Sequence, residues 1–133
     1  MTLKGSCLCG EVKFEIEGDY EHFFICHCRY CQKDTGSAYA ANLFIKSGSF
    51  NWLSGQEKVK DFNLSSTRHV KSFCSECGSA VPNTKMGSGT CIVPAGCLDD
   101  EVQFKPQAHI FAESQANWEK ELKSIKCFPG FPL

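Results

Sequence analysis

Apolar and polar residues alternate in several short runs along the chain. In EVKFEIEG, Val12, Phe14 and Ile16 take every second position, which puts them on one face of a half-buried strand. Comparable strand patterns recur in FFIC, AYAANLFIK, VKDFNL, HVKSFC and TCIVPAG. Clusters of Gly, Ser, Asn and Asp, such as SGSFN, MGSG and LDD, separate these runs and are typical of turns. The pattern predicts a mostly-β fold of several short antiparallel strands with little helix.

Helical periodicity is weak throughout the sequence. We expect one or two turns of helix after Cys28, and QANWEKELKS near the C-terminus is a second, weaker candidate. The ending CFPGFPL is predicted to be ordered but not helical, because Pro129 and Pro132 lack the backbone N–H of a helix. We find no internal repeat or linker, so residues 1–133 are interpreted as a single domain.

The charge balance argues against two classes of partner. The chain has 14 basic and 15 acidic side chains, a formal net charge of -1, and no stripe rich in Lys and Arg. Nucleic-acid binding normally needs such a stripe. The first residues lack the pattern of a signal peptide, and no apolar run approaches the length of a membrane span. We therefore expect a cytoplasmic protein that binds neither nucleic acid nor a membrane.

Ten cysteines are a high number for this length, and two explanations compete. A disulfide scaffold is usually shorter and secreted, whereas the same density in a reducing compartment indicates metal binding. The cysteines also occur in close groups, which suit convergence on one ion better than bridges between distant strands. We therefore favour metal ligation over disulfides.

Two cysteine pairs are predicted to form one closed site. If Cys7 and Cys9 lie in a strand, they point to the same face, and the second pair, Cys74 and Cys77, requires a tight turn. Gly78 follows directly and suits a position with positive φ. Four thiolates complete a tetrahedral structural zinc site. The alternative is that these are four unrelated buried cysteines.

Cys26, Cys28 and Cys31 form a triplet that lacks a fourth ligand. If all three bind one zinc, the fourth position is open to water or substrate, as in catalytic zinc sites. His27 would point away from its neighbours in a continued strand, so we do not expect it to be a ligand. A distant side chain could instead close the site, and the candidates are His69, His109, Cys91 and Cys97.

The charge of an open three-cysteine site favours thiol chemistry. Three thiolates overcompensate Zn²⁺ and leave a net charge of about -1, which polarises water or a carbonyl poorly. Such a centre still binds soft thiolates and keeps a thiol deprotonated near neutral pH. Metal-assisted thiol chemistry is therefore a better hypothesis than hydrolysis.

Four stretches resemble one known family, the glutathione-dependent formaldehyde-activating enzymes: GSCLCGEV, CHCRYCQKDTGS, FCSECGS and GCLDDEVQFKPQAHIFAESQANW. The resemblance implies a zinc-bearing β fold of the Mss4-like type. It also implies two zinc ions per chain, a structural ion on Cys7, Cys9, Cys74 and Cys77 and a second, catalytic ion on Cys26, Cys28 and Cys31. At the second ion, glutathione and formaldehyde would combine to S-(hydroxymethyl)glutathione.

Several charged and polar side chains are candidates for substrate contact. Arg29, Lys33 and Arg68 could bind the carboxylates of a glutathione-like thiol, although such residues are more often solvated surface charges. A proton could be moved at the carbonyl by His27, Tyr30 or Asp34. Histidine suits this role best by its pKa, so His27 is the catalytic candidate, with a core or second-shell histidine as the alternative.

The remaining cysteines and large aromatic residues have simpler explanations. We expect Cys91, Cys97 and Cys127 to be small buried apolar side chains. Phe104, Phe111 and Trp118 are expected to belong to the core or to a pocket wall.

Three functions follow from these features. The leading one is a zinc-dependent carbon–sulfur lyase-type enzyme that joins or cleaves a small thiol and an aldehyde. The second is a non-catalytic zinc module that binds a protein partner, favoured if a fourth protein ligand closes the triplet. The third, a nucleic-acid-binding zinc protein, is disfavoured by the balanced charge.

Overall fold

The computed structural model describes residues 2–132 and confirms a mostly-β fold with little helix. Within these residues there are nine β-strands and one α-helix. In chain order they are β1 (Thr2–Ser6), β2 (Lys13–Glu17), β3 (His22–Cys26), α1 (Arg29–Thr35), β4 (Ala40–Lys46), β5 (Phe50–Ser54), β6 (Val59–Asn63), β7 (Val70–Cys74), β8 (Thr90–Pro94) and β9 (Ala108–Ile110). No helix in the described range is long and apolar enough to cross a membrane.

The strands form three small sheets. Their orders are β1-β2-β5, β8-β4-β3-β9 and β6-β7. Neighbouring strands are antiparallel, as predicted, except that β9 lies parallel to β3 and pairs Cys26 with Ile110. The direction of β9 is not set by a hairpin, because more than 80 residues separate it from β3 along the chain.

Alternation in β2 explains how the main core forms. Phe14 and Ile16 are buried, whereas Lys13 and Glu17 at the strand ends are exposed. The Phe14 ring stacks on Phe50 with centroids 5.6 Å apart. Gly5 lies opposite Phe14 in β1, and a Cβ there would collide with the Phe14 ring. The core therefore requires glycine at this position.

The helix expected after Cys28 is present as α1. The Cys28 sulfur caps its N-terminus by accepting the backbone N–H of Cys31 at 3.3 Å. Gly36 ends the helix in the left-handed conformation, with φ of 66°. Only two residues separate the end of β3 from the start of α1, so these two elements bring the triplet together.

The prediction of a second helix in QANWEKELKS is wrong, because this segment does not form an α-helix. Its residues form two 3₁₀ turns, Asn117–Glu119 and Leu122–Ser124, separated by Glu121 with φ of 58°. Short helices are stable only when one face packs against the rest of the protein. In this segment Trp118 and Leu122 are exposed and Glu119 is buried instead.

Candidate metal centres and the adjoining cavity

Four cysteine sulfurs converge where β1 and β7 end. The Sγ atoms of Cys7, Cys9, Cys74 and Cys77 all lie within 4.8 Å of one another. Cys7 and Cys9 are 3.6 Å apart, and Cys9 and Cys74 are 4.0 Å apart. Zinc–sulfur bonds of about 2.3 Å in a tetrahedron require sulfurs about 3.8 Å apart. The four side chains therefore fit one tetrahedral zinc ion.

Tight turns place these cysteines, and this corrects the expectation that Cys7 and Cys9 lie in a strand. Strand β1 ends at Ser6, and Cys9 is in the turn that follows. The turn closes through the Gly10 N–H, which donates to the Cys7 carbonyl at 3.1 Å. At the other pair, Gly78 N–H donates to the Cys74 carbonyl at 2.7 Å. Gly78 has a φ of +75°, as predicted.

Hydrogen bonds lower the pKa of Cys7 and that of Cys77, whereas desolvation and the neighbouring cysteines raise the pKa of Cys9 to about 12. The backbone N–H of Val12 donates to the Cys7 sulfur at 3.3 Å, and that of Glu76 donates to Cys74 at 3.4 Å. The hydroxyl of Ser79 lies 3.4 Å from the Cys77 sulfur, and its hydrogen bond lowers the pKa of Cys77 to about 5. Thiolates, not thiols, are the form that binds a metal ion.

The second cluster joins a strand end to the start of a helix. Cys26 is the last residue of β3, Cys28 caps α1 and Cys31 lies in its first turn. Their three sulfurs also lie within 4.8 Å of one another. Among residues 2–132, no fourth His, Cys, Asp or Glu joins this group. The four candidate closing ligands, His69, His109, Cys91 and Cys97, lie outside it.

Burial governs the protonation of the triplet when no cation is bound. Removal from water raises the pKa of Cys26 and that of Cys31, because it disfavours the charged thiolate. A divalent cation has the opposite effect and holds ligating thiols deprotonated. Three soft sulfur donors at this spacing fit zinc.

A large cavity opens beside the triplet. It has a volume of about 710 Å³, within the usual range of small-molecule sites, and Cys26, Cys28 and Cys31 are part of its wall. A neighbouring cavity of about 430 Å³ shares Arg68 with the first. The remainder of the larger wall includes the aromatic residues Phe24, Tyr39, Phe44 and Phe111.

A polar cluster lies on the same wall. Asp34 in α1 contacts His69, with Oδ2 and Nε2 2.6 Å apart. Lys71 in β7 donates to the Asp34 backbone carbonyl at 3.0 Å and lies 3.7 Å from its Oδ1. The ring of Tyr30 is 5.6 Å from that of His69. Asp34 and His69 lie 35 residues apart in the sequence, and no pattern in it indicates that they meet.

His27 has a different environment from the one expected for a catalytic group. Its ring is buried, is not part of the cavity wall, and has Nε2 2.8 Å from Nδ1 of His109. Its Nδ1 lies 3.0 Å from Oε2 of the buried Glu119, although the angle does not meet hydrogen-bond geometry. Gln32 donates to the His27 carbonyl at 2.7 Å. The partner Glu119 was missed because it is 92 residues away in the sequence.

The three basic side chains proposed for substrate contact differ in whether they line the cavity. Arg68 is part of the cavity wall, whereas Arg29 and Lys33 are exposed outside it. Arg29 instead donates to the Gln32 side chain at 3.0 Å. Arg68 is thus the cation, of these three, that can meet a bound molecule.

Predictions for the remaining cysteines and aromatics were right in part. Cys91 is buried and Cys97 is partly buried in the core, but Cys127 is exposed, so its prediction was wrong. Phe104 packs against the core and Phe111 is in the cavity wall. Trp118 is 64% exposed and belongs to neither, because the C-terminal segment packs little of its length. All ten cysteines are free thiols.

Comparisons with known proteins give the same family as the sequence motifs. The model of the glutathione-dependent formaldehyde-activating enzyme family matches residues 2–114. A curated Halomonas elongata protein, whose name assigns it to this family, is 28% identical over 144 residues, which cover 99% of this chain and 90% of that protein.

A solved structure of a Rhodobacter sphaeroides protein shares the fold. It has a TM-score of 0.62 and 18% sequence identity, and the match covers 80% of this chain and 98% of that one. The family resemblance inferred from the sequence is confirmed, and so is the predicted mostly-β fold. With a family match over most of its length, the chain belongs to the glutathione-dependent formaldehyde-activating enzyme family.

Proposed function

We propose that this protein is a zinc-dependent carbon–sulfur lyase-type enzyme, similar to S-(hydroxymethyl)glutathione synthase. It would join or cleave a small, glutathione-like thiol and a formaldehyde-like aldehyde. One observation carries the proposal: the three sulfurs of Cys26, Cys28 and Cys31 meet at the wall of a 710 Å³ cavity without a fourth protein ligand among the described residues. The family name supports both substrate classes.

The two cysteine clusters would hold zinc in different roles. Cys7, Cys9, Cys74 and Cys77 supply a complete ligand set, so their ion would be structural. The triplet supplies three ligands and leaves one position for a substrate sulfur. Zinc bound there would keep that sulfur deprotonated near neutral pH.

The cavity wall supplies binding and orientation. Arg68 is exposed, and its guanidinium can form a charge-assisted pair with a substrate carboxylate. Lys71 is already engaged by Asp34, so it contributes less to binding an anion. Phe24, Tyr39 and Phe44 form an apolar wall that limits access of water to the reacting sulfur and carbonyl.

Titration of cobalt-substituted protein with glutathione tests the central step. Thiolate binding at the triplet should change the sulfur–cobalt charge-transfer bands in a saturable way. The change should be absent in Cys31→Ser and retained in Cys91→Ser, a matched replacement of a buried cysteine outside both clusters. Arg68→Ala should weaken glutathione binding more than it weakens binding of a thiol without carboxylates.

Turnover is measured on the zinc-loaded protein, by NMR exchange between hydrated formaldehyde and its glutathione adduct. The wild type should accelerate this exchange and Cys31→Ser should not. A cobalt spectrum that stays unchanged up to millimolar concentrations of several small thiols would refute the proposal. It would favour a non-catalytic zinc module that binds a protein partner.

A further inference from the structure

Asp34 and the triplet lie on the same side of α1. Cys31 and Asp34 are three residues apart, which corresponds to a rise of about 4.5 Å along a helix and to neighbouring positions on one face. Both residues are part of the wall of the 710 Å³ cavity. Asp34 is therefore about one helical turn along α1 from Cys31, one of the proposed zinc ligands.

His69 reaches Asp34 from the segment that precedes β7. Its Nε2 is 2.6 Å from Oδ2 of Asp34, and both side chains are 20% exposed. An ionised carboxylate can only accept a hydrogen bond, so Nε2 carries the proton when His69 is neutral. Nδ1 is then the basic nitrogen, and among residues 2–132 it has no hydrogen-bond partner.

Neighbouring side chains surround the Asp34–His69 pair. Lys71 from β7 holds the Asp34 backbone and lies 3.7 Å from Oδ1. Tyr30 from α1 packs beside the imidazole, and Arg68, which precedes His69 in the chain, also lines the cavity. A carboxylate that fixes one imidazole nitrogen and leaves the other free is the arrangement that prepares histidine for proton transfer.

We propose that His69 is the acid–base catalyst of the cavity and that Asp34 positions it, an assignment that rests on the proposed thiol–aldehyde reaction. In the direction of addition, Nδ1 of His69 takes the S–H proton as the thiol enters the site, which leaves the thiolate that zinc at the triplet would hold. The sulfur electron pair forms the new C–S bond while the C=O π bond breaks, and the imidazolium returns the proton to the resulting oxyanion. One thiol and one aldehyde give one adduct without an oxidant or other reactant, and cleavage is the reverse.

This assignment differs from that of His27. The His27 ring is 1% exposed, is not part of the cavity wall, and has His109 and Glu119 at its two nitrogens. His69 lines the cavity and has one nitrogen available. A general acid–base group must come within hydrogen-bond reach of the proton it moves, which favours His69.

Kinetics of His69→Gln test the catalytic role, since glutamine can still donate to Asp34. We expect exchange turnover to fall about 100-fold or more, while cobalt-detected glutathione affinity changes less than about threefold. The acidic limb of the pH–rate profile should disappear, because it reports protonation of the free nitrogen. Asp34→Asn should fall between wild type and His69→Gln. His22→Gln, at an exposed histidine outside the cavity, should leave turnover unchanged.

A second measurement does not depend on activity. In ¹⁵N-histidine-labelled, zinc-loaded protein, the His69 resonances are assigned by their loss in His69→Gln. Neutral His69 should be the Nε2–H tautomer in wild type and lose this preference in Asp34→Asn. An Nδ1–H tautomer in wild type would overturn the pairing on which the role depends.

The outcomes separate the two proposals. Wild-type protein that neither binds thiols at cobalt nor accelerates exchange would remove the proposed function, and the role of His69 with it. Active wild type with an unchanged pH–rate profile in His69→Gln would overturn the role of His69 alone. If His27→Gln instead removes the acidic limb in folded protein, the catalytic role passes to His27.

Discussion

Replacing Cys77 by serine should destabilise the whole fold, because the four-cysteine cluster links distant parts of the chain. Cys9 and Cys74 lie 65 residues apart in sequence, yet their sulfurs are 4.0 Å apart. Cys77 is only partly buried, so the replacement itself removes little packing. Its main effect is to leave three thiolates and a weak hydroxyl ligand. At a suitably low, buffered zinc concentration the variant should lose the ion while wild type keeps it.

The size of the effect follows from the linkage between zinc binding and folding. An ion bound only by the folded chain, at a free zinc concentration about 1,000 times its dissociation constant, stabilises the fold by about 4 kcal/mol at 25 °C. That is a large part of the roughly 5–15 kcal/mol by which a domain is stable. For a chain of this length, 4 kcal/mol corresponds to a fall in Tm of roughly 15 °C.

Thermal melts at fixed free zinc, followed by circular dichroism, measure this effect against two matched serine variants. Cys91→Ser changes a buried cysteine that lies in neither cluster, and should cost about 1 kcal/mol, or about 4 °C. Cys31→Ser alters the triplet, whose members all lie within residues 26–31 already held by β3 and α1. It should therefore resemble Cys91→Ser in stability while losing thiol binding.

A Tm of Cys77→Ser within about 5 °C of that of Cys91→Ser under these conditions would exclude a structural role for the four-cysteine cluster. A wild-type Tm that does not depend on free zinc would exclude it too, since a structural ion stabilises only the folded state.

Two further predictions concern the lability of the metal sites and the buried environment of His27. On titration with a chelator, zinc should leave the triplet before it leaves the four-cysteine cluster, because an open position admits a competing ligand. Metal analysis at each chelator concentration measures this. Loss of both ions at the same concentration would contradict the prediction. Glu119→Ala should lower the free energy of unfolding by about 1–3 kcal/mol, because it removes the carboxylate 3.0 Å from Nδ1 of the buried His27, whereas Glu119→Gln should cost less because it keeps a polar group beside that nitrogen. Denaturant unfolding of the two variants measures the difference, and equal losses would show that the carboxylate–imidazole contact does not contribute.

Local backbone geometry explains what the sequence predicted well. The alternation around Phe14 fixes which face of β2 is buried, because successive side chains of a strand point to opposite sides. The spacing of Cys26, Cys28 and Cys31 was equally informative, since a strand end followed by one helical turn brings these positions together. Glycine at position 78 indicated a turn with positive φ beside the second cysteine pair.

Packing between distant segments decided the features that the sequence did not predict. The C-terminal candidate helix failed because its apolar residues have no surface to pack on, which a sequence pattern does not reveal. Strand β9 joins β3 in parallel because no hairpin constrains its direction. The partners of His27 likewise come from segments more than 80 residues away.

The cavity wall also combines residues that the sequence grouped correctly with a contact that it did not predict. The three cysteines of the triplet could be grouped from their spacing, and Asp34 was a candidate on the same short stretch. Only the tertiary structure brought His69 to within 2.6 Å of Asp34, across 35 residues of chain. Spacing within one helix is fixed by backbone geometry, whereas a contact between a helix and a remote loop depends on how the β6-β7 sheet packs beside α1. The cysteines of the proposed thiol site could therefore be located from the sequence, and the proposed acid–base group could not.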